Sequence, residues 1–435
     1  MKKRAIFALC LLAMLLCACG QTRQSPSETP EPTAEADSAT QISLQGETAS
    51  VKGGGASVSG GTVSIGAVGE YRVSGTLSAG QIVVDTGEDA MDVTLILDGA
   101  DVTCPSGPAI LVKQAKNVHL VLAPGSENRV TSGAREDLNT YNESRSGAAI
   151  FSEDDLTIEG EGQLAVSGYL NNGITCKDDL KLKGGTVNVT AANNGLRASE
   201  SISISGGTVN VTAANDGVKT SSDVKEGKGY IDISGGSLTV RSGGDSLDAV
   251  TELRVSGGSI RTESRQELEA VSSRKGLKAG TLLSISGGSL EIHSDGDGLH
   301  CDGDVSVTGG SLLIVASTGV QSGVKDSGRG DILLSGGKLL ISAGKRALKA
   351  EGSARVTTEL LALGTSDKQT APDTEGQAFV FAALEGMAGE TLQIAGESFD
   401  LPQRFSWLFY TAPSLSAGQP LSFQLGQQQY SVEAK

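Results

Sequence analysis

Acidic and amide side chains recur at equivalent points of a repeated sequence pattern, on either side of a short alternating segment. These residues are Asp154, Asp155, Asp178, Asp179, Asn172, Asn194 and Asp216. Calcium takes its ligands from carboxylate, amide and backbone oxygens. Carboxylate pairs stacked about 5 Å apart on neighbouring strands would repel each other without a cation. The pattern therefore predicts a calcium site, and the alternative for any single residue is a turn side chain that hydrogen-bonds the backbone.

Basic side chains occupy the segment between those turns. They are Arg197, Lys219, Lys278, His300 and Lys349. On one outward strip, they would suit the carboxylates of acidic sugars, with calcium bridging the remaining contacts. Aromatic residues make up only 3% of the chain, so stacking on flat crystalline cellulose has little support. The alternative is a solvated face whose bases offset neighbouring acids.

The elements that must position these side chains are indicated by repeated glycine pairs. The second glycines are Gly185, Gly207, Gly236, Gly258, Gly288, Gly310 and Gly337. Each unit holds three short segments with alternating apolar residues, such as residues 174–176, 180–182 and 187–189. Alternation indicates strands with one buried face, and such a repeat buries its apolar side against its neighbours. We predict an all-β, right-handed, single-stranded parallel β-helix of three sheets.

Alignment of the repeats predicts two inward columns on the first strand of each unit. The first column is large and apolar and comprises Ile150, Ile174, Leu196, Val218, Leu247, Leu277, Leu299, Val320 and Leu348. The second is small and comprises Ser152, Cys176, Ala198, Thr220, Ala249, Ala279, Cys301, Ser322 and Ala350. Cys176 and Cys301 are thus expected to be buried core thiols. With Cys104 they make an odd number of cysteines, which is no disulfide framework.

The two ends of the chain differ from the repeat. Residues 1–19 have the basic start and apolar run of a signal peptide, and Leu16-Cys17-Ala18-Cys19 resembles a bacterial lipobox that would place a lipid on Cys19. Residues 20–41 are polar and rich in proline, as expected of a disordered tether. We predict the β-helix over 42–358 and a β-rich cap over 359–435, which contains the single tryptophan.

Charge and composition narrow the partners. The formal net charge is −16 and the pI about 4.7, which disfavours nucleic acid. No segment after the leader is long and apolar enough to cross a bilayer. We therefore expect a monomer on the bacterial cell surface, attached to the membrane only by its lipid.

Several segments resemble the repeat of a bacterial surface carbohydrate-binding family. They are residues 149–158, 172–180 and 215–219 within the repeat, 93–99 and 414–426 near the ends, and the insertion at 129–147. This resemblance implies a pectate-lyase-like β-helix that binds Ca²⁺ and has affinity for plant cell-wall polysaccharides such as polygalacturonate or cellulose-like material. The family's Asp-Asp-Gly-Ile repeat is weakened here to Asn171-Asn172-Gly173 and finally to Lys345-Arg346-Ala347.

Three functional classes fit these features. We expect a non-catalytic, calcium-dependent polysaccharide-binding protein. The second class is a calcium-dependent polysaccharide lyase, in which Arg197 or Lys219 would remove the proton beside a uronate carboxylate. The third is a structural stalk or adhesin that uses the solenoid only as a spacer.

Overall fold

A computed structural model of the protein describes residues 39–87, 92–134, 147–222, 225–265, 273–325 and 328–435. The predicted signal peptide with Cys19, the tether up to residue 38 and most of the 129–147 insertion lie outside these residues. Residues Ala39–Lys435 form one compact unit.

The described residues contain 39 strands and no helix. In chain order the strands are β1 Thr40–Gly46, β2 Thr48–Lys52, β3 Ala56–Ser59, β4 Thr62–Ile65, β5 Gly69–Leu77, β6 Gln81–Asp85, β7 Asp92–Cys104, β8 Ile110–Gln114, β9 Asn117–Leu122, β10 Glu127–Ser132, β11 Ala148–Ser152, β12 Asp155–Gly160, β13 Gln163–Gly168, β14 Asn172–Cys176, β15 Asp179–Leu182, β16 Thr186–Ala191, β17 Leu196–Ala198, β18 Ser201–Ile204, β19 Thr208–Ala213, β20 Val218–Thr220, β21 Tyr230–Ile233, β22 Ser237–Ser242, β23 Leu247–Ala249, β24 Glu252–Val255, β25 Ser259–Ser264, β26 Leu277–Ala279, β27 Leu282–Ile285, β28 Ser289–Cys301, β29 Asp304–Ser322, β30 Ile332–Ala343, β31 Leu348–Ala350, β32 Ala354–Val356, β33 Glu359–Gly364, β34 Phe379–Gly386, β35 Thr391–Ile394, β36 Glu397–Asp400, β37 Phe405–Thr411, β38 Pro420–Leu425 and β39 Gln428–Glu433.

The chain winds into a parallel β-solenoid of about 11 turns, which confirms the predicted fold class. In the middle of the solenoid each turn contributes one strand to each of three parallel sheets. The first sheet includes β11, β14, β17, β20, β23 and β26, the second includes β12, β15, β18, β21 and β24, and the third includes β13, β16, β19, β22 and β25. Longer strands such as β29 pass around the corners and take part in all three sheets.

Local sequence explains this winding. In β16 and β19 the same hexapeptide, Thr-Val-Asn-Val-Thr-Ala, buries its apolar residues and exposes the polar ones between them. The corner between the second and third sheets needs glycine. Gly207 has a φ of +77°, and a Cβ there would lie 2.6 Å from the carbonyl oxygen of Gly185 on the previous turn. The glycine pair is therefore required both by the backbone conformation and by the close stacking of turns.

The two predicted inward columns are confirmed along the first sheet. Ile150 pairs with Ile174, Ile174 with Leu196, and the register continues to Leu348 without a slip in these positions. Cys176 and Cys301 are fully buried and free, as is the buried Cys104. Burial raises the pKa of the Cys176 thiol to about 12 and that of Cys301 to about 11.

Both ends of the solenoid are covered. At the start, β1 pairs antiparallel with β2, and β3 pairs antiparallel with β4. At the end, β33 continues the third sheet in parallel with β30 and then pairs antiparallel with β37, which also pairs with β34. A separate four-stranded sheet, β36-β35-β38-β39, packs a second small core around Leu392, Phe423 and Leu425. These antiparallel pairs cover strand edges that an open solenoid would leave unpaired.

Candidate functional site

The first sheet carries a column of outward side chains that the structure aligns from turn to turn. Its members are Phe151, Thr175, Arg197, Lys219, Asp248, Lys278, His300, Gln321 and Lys349, and we call this set the outward column. Parallel register places each side chain over its equivalent on the next strand, about 4.8 Å away. The bases predicted to form a strip are therefore aligned on one sheet. Whether each base has a free positive charge depends on the side chains that contact it.

Three buried carboxylates meet near the middle of this column. Asp216, Asp245 and Asp248 each offer an oxygen within 4.8 Å of the other two, and among the described residues they are the group that could hold a metal ion in this way. We call them the aspartate triad. Lys219 bridges two of them, with its Nζ 2.6 Å from Asp216 Oδ2 and 2.7 Å from Asp248 Oδ2. Lys278 Nζ lies 3.0 Å from Asp248 Oδ1 and 3.5 Å from Asp245 Oδ2.

The aspartate triad therefore forms, together with Lys219 and Lys278, a charge cluster of three acids and two bases. Burial raises the pKa of Asp216, and the nearby Lys219 offsets only part of that rise. Burial also acts to raise the pKa of Asp248, but Lys219 and Lys278 outweigh it and hold that pKa below its usual value. Burial acts to lower the pKa of Lys219, and Asp216 and Asp248 reverse this effect, so that its pKa is raised. Lys219 is accordingly fixed in its charged form at neutral pH.

The next base along the column is also paired. His300 lies 2.9 Å from Asp297 Oδ2 through Nδ1 and 3.3 Å from Asp302 Oδ1 through Nε2. Burial favours the protonated form of Asp297, but its bond to His300 outweighs this and lowers its pKa. Three of the five bases predicted to contact sugar, Lys219, Lys278 and His300, thus face carboxylates of the protein itself.

The other two predicted bases have different surroundings. Lys349 donates to Gln321 Oε1 at 3.1 Å and is not ion-paired with any described carboxylate. Arg197 is half-buried between Thr175 and Lys219 in the column, and it too has no described carboxylate partner. These two positions keep the positive charge that the sequence suggested for the whole strip.

The four aspartates of the earlier turns do not converge on one point. Asp154 Oδ2 accepts the backbone N–H of Ala115 on the preceding turn. Asp155 is held by Lys181 at 2.9 Å, and Asp179 by Lys228 with both oxygens at 2.9 Å. Ammonium groups of the protein thus compensate the charges of Asp155 and Asp179. Calcium at this position stays a prediction. Among the described residues, the carboxylates that lie close enough together to hold a metal ion are those of the aspartate triad.

Asp178 completes that earlier group. Among the described residues its carboxylate has no cation within ion-pair distance, and its pKa is raised by burial and then by Glu200 and Asp155. Glu200 is itself paired with Lys225 and Lys228, which extend from the segment after β20. This segment supplies the bases that compensate the acidic turns.

The amides predicted as metal ligands form a ladder with the backbone. Asn172 Oδ1 accepts both the N–H and the side-chain amide of Asn194, at 3.0 and 3.1 Å. Asn194 Oδ1 accepts the N–H of Asp216, and Asp216 Oδ1 accepts the N–H of Asp245. Each side chain thus satisfies a buried backbone group of the next turn. Asn172 and Asn194 therefore hydrogen-bond the backbone, as the alternative for turn side chains predicted. Their role as metal ligands stays a prediction.

Sequence reasoning placed Asp216 in the candidate metal site but not Asp245 or Asp248. Asp245 follows in the same turn column after a longer unit, and Asp248 is the single acid in the outward column. An acid standing alone between two lysines of one column was the signal available. The described residues include no helix long and apolar enough to be a membrane-spanning candidate.

Comparisons with known proteins agree with this architecture. A family profile described as "Carbohydrate-binding domain-containing protein" matches residues 59–319, more than half of the chain. A protein of the same description from Acetivibrio thermocellus is 38% identical over 129 residues, which span 30% of this chain and 45% of that relative. The solved structure of a polysaccharide lyase-like protein from C. thermocellum, a gadolinium derivative, is 30% identical with a TM-score of 0.50 and covers 62% of this chain and 97% of its own. The chain therefore belongs to the family of carbohydrate-binding domain-containing proteins.

Proposed function

We propose that the protein is a non-catalytic, calcium-dependent receptor for acidic or plant cell-wall polysaccharide, held on the bacterial cell surface by a lipid on Cys19. The observation that carries this proposal is the outward column in a chain of the carbohydrate-binding family. A parallel solenoid places equivalent side chains along one line. The half-buried members of the outward column present polar or charged groups there, and they are Arg197, Lys219, Lys278, Gln321 and Lys349. A linear polymer lying along that line meets a repeated set of hydrogen-bonding groups, which suits binding of an extended glycan.

The aspartate triad supports the calcium part of the proposal. Its donor set consists of carboxylate oxygens, which are hard ligands of the kind that calcium takes. Lys219 and Lys278 neutralise two of its three negative charges. A calcium ion held by Asp216, Asp245 and Asp248 would therefore compete with the Lys219 ammonium group for the same oxygens.

Binding is favoured over lyase chemistry by the state of the candidate bases. A general base must be unprotonated at the working pH. Asp216 and Asp248 raise the pKa of Lys219, and an arginine such as Arg197 stays protonated in proteins. Neither residue is thus suited to remove a proton near neutral pH. The name of the polysaccharide lyase-like relative keeps the lyase as the second candidate function.

A polysaccharide pull-down with and without a chelator tests the proposal. We expect the full-length protein to co-sediment with polygalacturonate or an insoluble cell-wall glucan in calcium, and to be released by chelator. No rise in the ultraviolet absorbance of unsaturated products should follow on polygalacturonate. A triple Asp216→Asn, Asp245→Asn and Asp248→Asn variant should lose the calcium dependence. The matched control, with the same charge change at exposed positions, is Asp85→Asn, Asp92→Asn and Asp367→Asn.

Each part of the proposal has its own contradicting result. If the protein co-sediments with no polysaccharide, either in calcium or in chelator, the binding function is contradicted. Accumulation of unsaturated products would replace it by a lyase. Equal retention with calcium and with chelator would remove the calcium requirement. Cys19→Ala should abolish incorporation of labelled fatty acid, and unchanged incorporation would contradict the anchor.

A further inference from the structure

The outward column ends in a cation whose surroundings differ from those of Lys219 and His300. Lys219 and His300 each pair with an aspartate three residues earlier, Asp216 and Asp297. The residue three positions before Lys349 is Arg346. The backbone carbonyl of Arg346 accepts the N–H of Gly319, just as Asp216 and Asp297 accept the corresponding glycine N–H, so all three occupy the same turn position. At this turn a base therefore stands in the position that Asp216 and Asp297 occupy before Lys219 and His300, as Lys275 does before Lys278.

A third base joins this pair in a cleft. The segment after β33 folds back against β31, where Gln369 Oε1 accepts the N–H of Leu348 at 3.2 Å. Arg346, Lys349 and Lys368 line a cleft of about 200 Å³ between the two segments. The single acid in its lining is the exposed Asp373. Among the described residues none of the three bases is ion-paired with a carboxylate.

From these contacts we infer that the cleft of Arg346, Lys349 and Lys368 binds the carboxylate of a uronic acid unit in the polysaccharide. This inference rests on the proposed function and makes it more specific, because it selects an acidic over a neutral glycan. Arg346 and Lys349 are half-buried and Lys368 is exposed. Like charges gathered in one cleft favour a bound anion. The planar guanidinium of an arginine can hold a carboxylate through two parallel hydrogen bonds, while the lysines add point charge.

The size and place of the cleft fit one charged unit of a longer chain. Pockets for drug-sized ligands are about 300–1,000 Å³, so a smaller cleft suits a single sugar unit. The cleft lies at the end of the outward column, next to Gln321 on the preceding turn. A polymer that follows the column would thus reach these bases at the end of its path. The bases near the aspartate triad already face carboxylates and would not attract a second set.

The test exchanges Arg346 at the turn and Lys349 on β31 for the equivalent residues of the preceding turn of the solenoid. Arg346→Thr and Lys349→Gln introduce the residues that Thr318 and Gln321 already provide in equivalent positions, so the fold should tolerate them. Affinity electrophoresis or calorimetry would compare polygalacturonate with its fully methyl-esterified form. The control variant, Lys113→Gln with Lys116→Thr, makes the same charge change at exposed sites in early turns.

We expect the double variant to bind polygalacturonate about tenfold more weakly than wild type, and the control variant to bind it normally. Binding by wild type should weaken with added salt and with methyl esterification. Equal binding by the double variant and wild type would overturn the inference while leaving the proposed function. Binding of only the esterified or neutral glycan would do the same. Failure of wild type to bind any polysaccharide would contradict the proposed function, and with it the inference.

Discussion

Lys219 and Lys349 belong to the same outward column, yet they stand in opposite surroundings. Lys219 lies between two buried aspartates, one three residues earlier and one on the next turn. Lys349 contacts Gln321 and has Arg346 three residues earlier. Because the backbone positions are equivalent, the difference comes from the residue at the turn and from the neighbouring residue of the column, which is Asp248 beside Lys219 and Gln321 beside Lys349. Position in the repeat therefore fixes where a cation points, and the side chains on its own turn and on the neighbouring turns decide whether its charge is available to a ligand.

The largest expected effect comes from removing Lys219. Lys219→Met leaves the carboxylates of Asp216 and Asp248 buried without this partner, and breaking a buried pair costs about 3 kcal/mol. Urea denaturation followed by circular dichroism should show a clearly lower midpoint. Lys183→Met is the matched control, because Lys183 is exposed and its nearest carboxylate oxygen is 3.8 Å away. Equal midpoints for the two variants would mean that the bridge over the triad adds nothing to stability.

Calcium should reverse much of that loss. Without Lys219 the triad keeps three carboxylates and loses its main competing cation, so the variant should bind calcium more tightly than wild type. A ligand at one hundred times its dissociation constant adds about 2.7 kcal/mol to stability. The measurement is the calcium-dependent rise of the urea midpoint in Lys219→Met and in wild type. A larger rise in wild type would argue against a calcium site at the triad.

The amide ladder gives the next effect. Asn194→Ala removes the acceptor for the N–H of Asp216, and a buried donor left without a partner costs about 1–3 kcal/mol. Arg346→Ala at the equivalent turn removes no described side-chain hydrogen bond and should leave the urea midpoint nearly unchanged. Similar losses in the two variants would show that the turn column supports the fold equally at both ends.

The pH dependence of stability should show whether Lys219 is paired with Asp216 and Asp248. The folded pKa of Lys219 is raised above 10.5, so its contribution is present below pH 10.5 and is lost as the pH rises through the folded value. The folded pKa of Asp248 is lowered below 3.8, so its contribution is lost as the pH falls through that lower value. The difference in urea midpoint between wild type and Lys219→Met should be constant between pH 3.8 and pH 10.5. It should decrease at lower and at higher pH. A difference that is the same at pH 7 and pH 11.5 would contradict this pairing.

The smallest expected change in stability comes from making the two turns alike. Arg346→Asp places an acid three residues before Lys349, as at Lys219 and His300. The new pair is partly exposed and should add only about 0.2–1 kcal/mol to the stability. Its effect on polygalacturonate binding should be a loss, because the acid neutralises Lys349. Unchanged binding would show that the comparison between the two lysines has no consequence for the ligand.

The fold could be predicted closely because its repeat is local. A glycine pair and three alternating segments per unit leave one way to bury the apolar residues, and the columns from Ile150 to Leu348 and from Ser152 to Ala350 follow. The same alignment placed Cys176 and Cys301 in the core. Periodicity sets the direction of a side chain in a strand, so inward and outward positions need no further information.

The candidate site could be predicted only in part. The alignment defined the outward column, but it left open whether Lys219, Lys278 and His300 are free for sugar or offset neighbouring acids. Its metal ligands included Asp216 of the aspartate triad, but also the earlier aspartates, where Lys181 and Lys228 supply positive charge. Lys228 comes from a segment that interrupts the repeat, 49 residues from Asp179 in sequence. Such a contact carries no periodic signal.

The sequence by itself determined the solenoid, its inward columns and the line of charged residues on the first sheet, because each depends on a two-residue alternation and a repeated glycine pair. Only the tertiary structure decided which of those charges are paired. Ion pairs depend on the lengths and directions of side chains from different turns and inserted segments, over distances of a few ångströms. That geometry made a buried cluster around Asp216, Asp245 and Asp248 and left the bases of the last turn facing a cleft.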